Sequence, residues 1–223
     1  MLCIGHRGAM GHEPENTLLS IKKALSLGVD WIEVDVYNIE NNLVVIHDRC
    51  LERTTNGKGY IEEQTFSYLR SLDAGKGQQI PTLSEVFDTV NRQAGVNIEL
   101  KGFDTANLVV KLIQQYIQQG WNKADFLVSS FNHYELERVK QQCPQIKLGL
   151  LIYGLPLNYL QIAQELKAIA IIVSLDFVTE KLILDAHENG FKVFVYTVNE
   201  PSDINQMQSL QVDGIFTNYP ERV

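Results

Sequence analysis

Short runs of Val, Ile, Leu and Phe recur along the chain, and between them the apolar positions fall at helical spacing. The runs are continuous and do not alternate with polar residues, which is the pattern of strands covered on both faces, as in a parallel sheet flanked by helices. Eight of them read as strands: Leu2–His6, Trp31–Val36, Val96–Lys101, Phe126–Ser130, Lys147–Ile152, Ile171–Leu175, Lys192–Thr197 and Gly214–Thr217. The intervening segments carry helix start signals, Thr82 with Glu85 and Asn132 with Glu135, and closing glycines at Gly28, Gly95, Gly120 and Gly190. An open doubly wound sheet would give nearly the same linear order. Strand count and length favour a single (β/α)8 TIM barrel.

One stretch breaks the alternation. After the second strand, Glu40-Asn41-Asn42 reads as a turn and Leu43–His47 as a strand returning in a hairpin. Residues 48–80 then hold Gly57, Gly59, Gly75 and Gly77 and only short periodic runs. They predict a small insertion after the second barrel strand, lying over one end of the barrel, where long insertions are usually functional. No repeat, low-complexity tract or linker divides the chain, so residues 1–223 are expected to form one domain.

Composition narrows the functions. With 45% hydrophobic and 21% charged residues, the 223-residue chain is rich enough in apolar side chains to bury a barrel core. A formal net charge of -8 argues against a surface that tracks nucleic-acid phosphates, which needs clustered Lys and Arg. Cys3, Cys50 and Cys143 form no CxxC pair and read as reduced, mostly buried thiols. The start of the chain lacks the basic and apolar stretches of a signal peptide, and no window reaches the roughly 20 apolar residues of a membrane span. A cytoplasmic protein without membrane insertion is expected.

Glu33 and Asp35 are two apart on a predicted strand, so their carboxylates share a face while Ile32, Val34 and Val36 point the other way. Two carboxylates about 4 Å apart would repel by roughly 4 kcal/mol at an effective dielectric of 20, and a divalent cation relieves that repulsion. Glu99 and Lys101 share a face at the carboxyl end of the third strand, the end where barrels carry their active sites. Glu99 can thus join Glu33 and Asp35 around one ion, with Lys101 facing an anionic substrate. An all-oxygen ligand set favours Mg²⁺ or Ca²⁺ over zinc. The alternative for Glu99 and Lys101 is a buried ion pair that needs no substrate.

His6 and Arg7 end the first strand, and the hairpin returns His47 to the neighbourhood of Glu33. Cation, Arg7 and Lys101 would neutralise a phosphate, and His6 and His47 have the intrinsic pKa of an acid and a base near neutral pH. The constellation fits phosphodiester cleavage. Which histidine is the acid stays open.

His6-Arg7-Gly8, Pro14-Glu15-Asn16-Thr17, Glu33-x-Asp35, His47-Asp48, Leu51-x-Arg53-Thr54-Thr55-Asn56-Gly57 and Ile98-Glu99-Leu100-Lys101 follow one another in an order that resembles the glycerophosphodiester phosphodiesterase family. Ser129-Ser130-Phe131, Tyr196-Thr197-Val198-Asn199 and Asp213-Gly214-Ile215-Phe216-Thr217-Asn218-Tyr219-Pro220 extend the likeness over essentially the whole chain. The resemblance implies a barrel, a divalent ion on Glu33, Asp35 and Glu99, His6 and His47 as acid and base, and Arg7 and Lys101 on the phosphate. It implies a small-molecule glycerophosphodiester as partner, with glycerol 3-phosphate and an alcohol as products, by attack of the neighbouring glycerol hydroxyl through a cyclic phosphate. A homodimer is compatible with it.

Asn16 matches a position beside the metal, and a helix N-cap serves as well for it. Tyr196, taken here as a substrate-binding residue, stands where the family usually has Trp, and Asn218 where it often has Asp; neither is expected to touch the metal or the acid–base set. Phe131 and Tyr153 are further candidates for lining the pocket. His133 and His187 read as solvated helix residues, and His12 is not assigned to the site. A relative acting on intact lipid would need an apolar docking surface, and no basic amphipathic helix supplies one. A phosphate-binding barrel without turnover would not need the two histidines.

Overall fold

The structure, a computed structural model, describes residues 1–223. In chain order the strands are β1 (Leu2–Gly5), β2 (Trp31–Ile39), β3 (Asn42–Val45), β4 (Gly95–Leu100), β5 (Phe126–Ser130), β6 (Lys147–Ile152), β7 (Ala170–Ser174), β8 (Lys192–Tyr196) and β9 (Gly214–Thr217). All but β3 pair in parallel, and β1 bonds to both β9 and β2, which closes the sheet into an eight-stranded barrel. The helices are α1 (Leu18–Ser26), α2 (Phe66–Ser71), α3 (Leu83–Val90), α4 (Ala106–Gln118), α5 (His133–Gln142), α6 (Tyr159–Leu166), α7 (Glu180–Glu188) and α8 (Pro201–Ser209); all except α2 join successive barrel strands. This is a (β/α)8 TIM barrel. None of the helices is long and apolar enough to cross a membrane.

All eight predicted strands form, with ends shifted by at most one residue except at β2, which runs three residues further. β1 stops at Gly5 because Arg7 turns into the left-handed region (φ 52°), although His6 N–H still bonds to Thr217 O at 3.0 Å. β2 runs on to Ile39 because the hairpin with β3 extends it, pairing Val36 with Val45 and Ile39 with Asn42. Glu40 and Asn41 make the turn, both with positive φ (51° and 63°), so Asn42 belongs to the strand.

Two helix signals resolve differently from expectation. Thr82 and Glu85 form the reciprocal cap of α3. Asn132 does cap α5 through Tyr134 N–H, but buried Glu135 turns away from it. Its carboxylate accepts from the amides of Asp104 and Ala106 and the hydroxyl of Thr105, so it neutralises the start of α4 instead. Gly28, Gly120 and Gly190 close helices at positive φ, whereas α3 closes on Asn91 (φ 43°). Gly95 opens β4, where the Trp31 ring lies so near that a Cβ would stand 2.5 Å from it.

Ile32, Val34 and Val36 face outward and join the 47-residue core between strands and helices. Inside the barrel, Ile4, Leu127, Leu151, Ala170, Ile172, Phe194 and Phe216 form a smaller apolar plug. Residues 48–80 build a lobe of two 3₁₀ turns and α2, whose Leu51, Ile61, Leu69 and Leu72 pack on Tyr37, Ile39, Val44 and Ile46 of the hairpin. Arg70 binds both carboxylate oxygens of Glu85 (2.8 and 2.7 Å), fastening α2 to α3.

Candidate active site

Register aligns Glu33 with Asn97, Asp35 with Glu99 and Glu99 with Ser129 across β2, β4 and β5. Alternation sends the carboxylates of Glu33, Asp35 and Glu99 into the barrel, where one oxygen from each lies within 4.8 Å of the others. Glu33 and Asp35 are 2% and 1% exposed. Burial, then the charge of Asp35, pushes Glu99 up to about 7; burial and Asp35 raise Glu33 as well. Glu33 Oε1, Asn97 Oδ1 and Ser129 Oγ are buried without any hydrogen-bond partner. Partnerless oxygens beside three carboxylates suit a hard cation, and no Cys or His joins the set to favour zinc.

Two cations already lean on this cluster. Arg7 donates its backbone N–H to Glu33 Oε2 (2.9 Å), and its side chain reaches Glu15 Oε1 (Nη1, 2.7 Å) and Asp35 Oδ2 (Nε, 3.3 Å). The following Gly8 (φ 83°) packs directly on α1, and a Cβ there would come within 2.5 Å of Ser20 Oγ. Lys101 Nζ lies 3.0 Å from Glu99 Oε1, 3.8 Å from Asp35 Oδ1 and 3.2 Å from His47 Nε2. The Glu99–Lys101 ion pair is therefore present, and it sits in the pocket itself.

The imidazoles have different partners. His6 Nδ1 bonds to Asn218 Oδ1 at 2.8 Å, which assigns the ring proton to Nδ1 and the lone pair to Nε2. Burial, with the Arg7 charge adding to it, pushes His6 down to about 4. His47 Nδ1 lies 2.5 Å from Asp48 Oδ1, and Tyr37 OH fixes its backbone carbonyl at 3.2 Å. Both rings line one cavity of about 250 Å³ together with Arg7, Glu33, Glu99 and Lys101. Phe131, Tyr196, Leu151, Ile172 and Phe216 make its apolar wall and floor.

Residues 6–222 match the model of the glycerophosphoryl diester phosphodiesterase family. The chain belongs to this family. A glycerophosphodiester phosphodiesterase of Caldanaerobacter subterraneus subsp. tengcongensis is 36% identical over 231 residues, spanning 99% of the chain and 95% of that protein. A glycerophosphodiester phosphodiesterase of Bacillus subtilis is 30% identical, over 99% of the chain and 84% of its own length. Among solved structures, an Oleispira antarctica phosphodiesterase in complex with the product sn-glycerol-3-phosphate superposes with a TM-score of 0.92 at 29% identity, covering 100% of the chain and 94% of its own. Family membership makes this chain an enzyme, a phosphoric diester hydrolase.

Within this family member, the eight residues singled out from the sequence, His6, Arg7, Glu33, Asp35, His47, Glu99, Lys101 and Tyr196, all meet at the carboxyl end of the barrel. Tyr196 contributes its ring, edge-on to Phe131 at 5.9 Å; its hydroxyl is turned to Ile152 O (2.9 Å). Asn16 is not an N-cap, a role Thr17 takes. Held at φ 57°, Asn16 clamps Asp35, donating to Oδ2 (2.9 Å) and accepting from its backbone N–H (3.3 Å). His133 is half-buried, its Nε2 at 2.9 Å from Leu151 O, so it is not a solvated residue; His187 does lie at the surface, on Asp213. His12 pairs with Glu221. Tyr153 packs on Phe177, outside the cavity wall.

Asn218 is the main correction. Expected to stay clear of the acid–base set, it is the direct partner of His6. Glu15, Asp48, Arg53 and Asn97 also belong to the site, and their chemistry was not visible residue by residue. Arg53, from the lobe, binds Asp48 (2.5 and 3.0 Å) and Glu15 (2.6 and 2.8 Å), so one guanidinium links His47's partner to Arg7's. Arg53 holds the Asp48 carboxyl well below its usual range. The one available signal was an aspartate directly following a histidine, the arrangement that orients an imidazole.

Proposed function

We propose that this enzyme hydrolyses glycerophosphodiesters to glycerol 3-phosphate and an alcohol, using a divalent cation, Mg²⁺ or Ca²⁺, held by Glu33, Asp35 and Glu99. One observation carries the reading: three converging carboxylates face two imidazoles across a single cavity large enough for a phosphodiester. When bound, the cation supplies positive charge to the phosphoryl oxygens and their developing negative charge. The glycerol 3-phosphate found on the Oleispira antarctica relative supports the choice of product.

Arg7 and Lys101 bind and orient the phosphate. Arg7 is pre-positioned by Glu15 and Asp35, and Lys101 can turn its free N–H groups from His47 toward the substrate. His6 acts as base: its protonated Nδ1 is spent on Asn218, and its neutral ring offers Nε2 to the attacking hydroxyl. As the new P–O bond forms, the bond to the leaving alcohol breaks and His47 Nε2 delivers the proton to that oxygen; water then opens the resulting cyclic phosphate, giving its proton to His47 while the departing glycerol oxygen takes one back from His6. Asp48 fixes the His47 ring and compensates positive charge on it whenever it forms. The lobe of residues 48–80 and the barrel work as one domain, joined at the site by Arg53.

Release of glycerol 3-phosphate from glycerophosphocholine, measured with and without chelator, tests this. Turnover is expected to stop with chelator and return with added Mg²⁺ or Ca²⁺. Turnover indifferent to the chelator would remove the cation from the mechanism, and absence of turnover with any cation would sink the assignment.

A further inference from the structure

Register sets four inward-facing positions at the corners of one patch. Glu33 pairs with Asn97 across β2 and β4, and two residues further along the same strands Asp35 pairs with Glu99. Strand neighbours stand about 4.8 Å apart and the two rows about 6.7 Å apart, so all four side chains project into one small volume. Three corners are the converging carboxylates of the cation site. The fourth is Asn97.

Asn97 is 1% exposed and lines the cavity with Glu33 and Glu99. Its Oδ1 has no hydrogen-bond partner, and neither has Glu33 Oε1 in the same row. An amide oxygen left bare in a barrel interior is costly unless something occupies it. The surroundings decide what that is. Carboxylates only accept, so the other three corners offer it no proton. The two cations of the site are engaged elsewhere, Arg7 on Glu33 Oε2, Glu15 and Asp35, and Lys101 on Glu99, Asp35 and His47. The hydroxyl of Ser129, across from Glu99 on β5, is itself without a partner and so does not cover Asn97. Oxygens that face one another with no donor between them suit a cation. A side-chain amide carbonyl is an accepted ligand of hard divalent ions, and it adds an oxygen without a fourth negative charge.

We infer, resting on the cation-dependent reading proposed above, that Asn97 is a fourth protein ligand of the divalent ion, through Oδ1. Glu33 and Asn97 hold the ion from the row nearer the apolar plug of the barrel, Asp35 and Glu99 from the row nearer the mouth.

The test counts waters and measures affinity, with no turnover involved. Tb³⁺, a luminescent stand-in for Ca²⁺, is bound to metal-free enzyme, and its decay in H₂O and D₂O gives the number of waters on the ion. Asn97→Ala removes the oxygen and leaves room, so the ion should gain about one water relative to wild type. Asn97→Leu removes the oxygen at nearly constant volume. Calorimetry on it with Ca²⁺ and with Mg²⁺ should show a Kd raised about tenfold or more, since even groups one step removed from a metal carry that much. Its metal-free melting temperature should hold or rise, because an unpartnered amide has gone. An unchanged water count in Asn97→Ala, or an unchanged Kd for both ions in Asn97→Leu, would make Asn97 a structural residue and overturn the inference, leaving the proposed function standing. If Asn97→Ala does not fold, the Kd of Asn97→Leu decides alone. Wild type that binds neither Ca²⁺ nor Mg²⁺ would overturn the inference and the proposed cation together.

Discussion

The carboxylate of Asp48 stands 2.5 Å from Nδ1 of His47 and takes both of its remaining contacts from Arg53. Asp48 itself does not line the substrate cavity. Its work is to set the angle of the ring and to balance charge on it. Asp48→Asn keeps the shape and removes the charge. We expect kcat to fall by about 100-fold, within the range general acid–base catalysis contributes, with KM little changed. Steady-state kinetics on glycerophosphocholine would check this, and an unchanged kcat would dismiss the pairing as structural.

Arg53 holds Asp48 and Glu15 at once, each through two nitrogen–oxygen contacts. Lysine cannot reproduce a planar fork, so Arg53→Lys should be nearly as damaging to kcat as Arg53→Ala. Both should lower kcat by about tenfold or more, because second contacts around a catalytic group carry that much. Arg53 is half-exposed, and its ion pairs are screened, so the melting temperature should barely move. Full activity in the lysine variant would mean that charge alone suffices.

Asn218 presents a neutral oxygen to His6, whose ring is pushed down to about 4 by burial and by Arg7. A lowered pKa means that the neutral ring is favoured in the folded protein, so the base stays competent well below pH 6.5. Asn218→Asp would place a negative charge on Nδ1 and favour the imidazolium. The acid limb of the pH profile of kcat/KM should shift to higher pH in this variant. A limb that stays in place would take His6 out of the base role.

The carboxylate cluster predicts a pH-dependent fold. Glu99 has an ordinary value of 4.5 and is raised to about 7, so the folded protein holds this proton more tightly than the unfolded chain. Its contribution to stability is complete below about pH 4.5 and is lost as pH rises through 7. Metal-free protein should therefore melt at progressively lower temperature from pH 5 to pH 8. Added Mg²⁺ or Ca²⁺ should raise the melting temperature more at pH 8 than at pH 5, and Glu99→Gln should flatten the metal-free slope. Thermal scans at several pH values, with and without cation, would expose a cluster that behaves otherwise.

The sequence made the barrel legible because strands buried on both faces leave unbroken apolar runs, and the inward acidic pair stands out against such a background. Glu33, Asp35 and Glu99 could be placed from alternation alone. Signals with two valid readings failed locally. Gly95 resembles a helix stop, but the ring of Trp31 across β2 needs a residue without a side chain there. Glu135 has the spacing of a reciprocal cap, yet the amides of another helix claim it. Asp48 and Arg53 belong to the lobe and Glu15 to the loop before α1, and nothing in the sequence shows that one guanidinium joins the two carboxylates.

Glu135 also settles how firmly the loop before α4 is held. By accepting the amide of Asp104 and closing the first turn of α4, a side chain rooted in α5 pins the loop whose tip is Phe103. The anchor is buried and ionic while the tip is bare and greasy, so the two can change independently. The exposed ring of Phe103 can therefore be exchanged for other side chains without loosening the helix start beneath it.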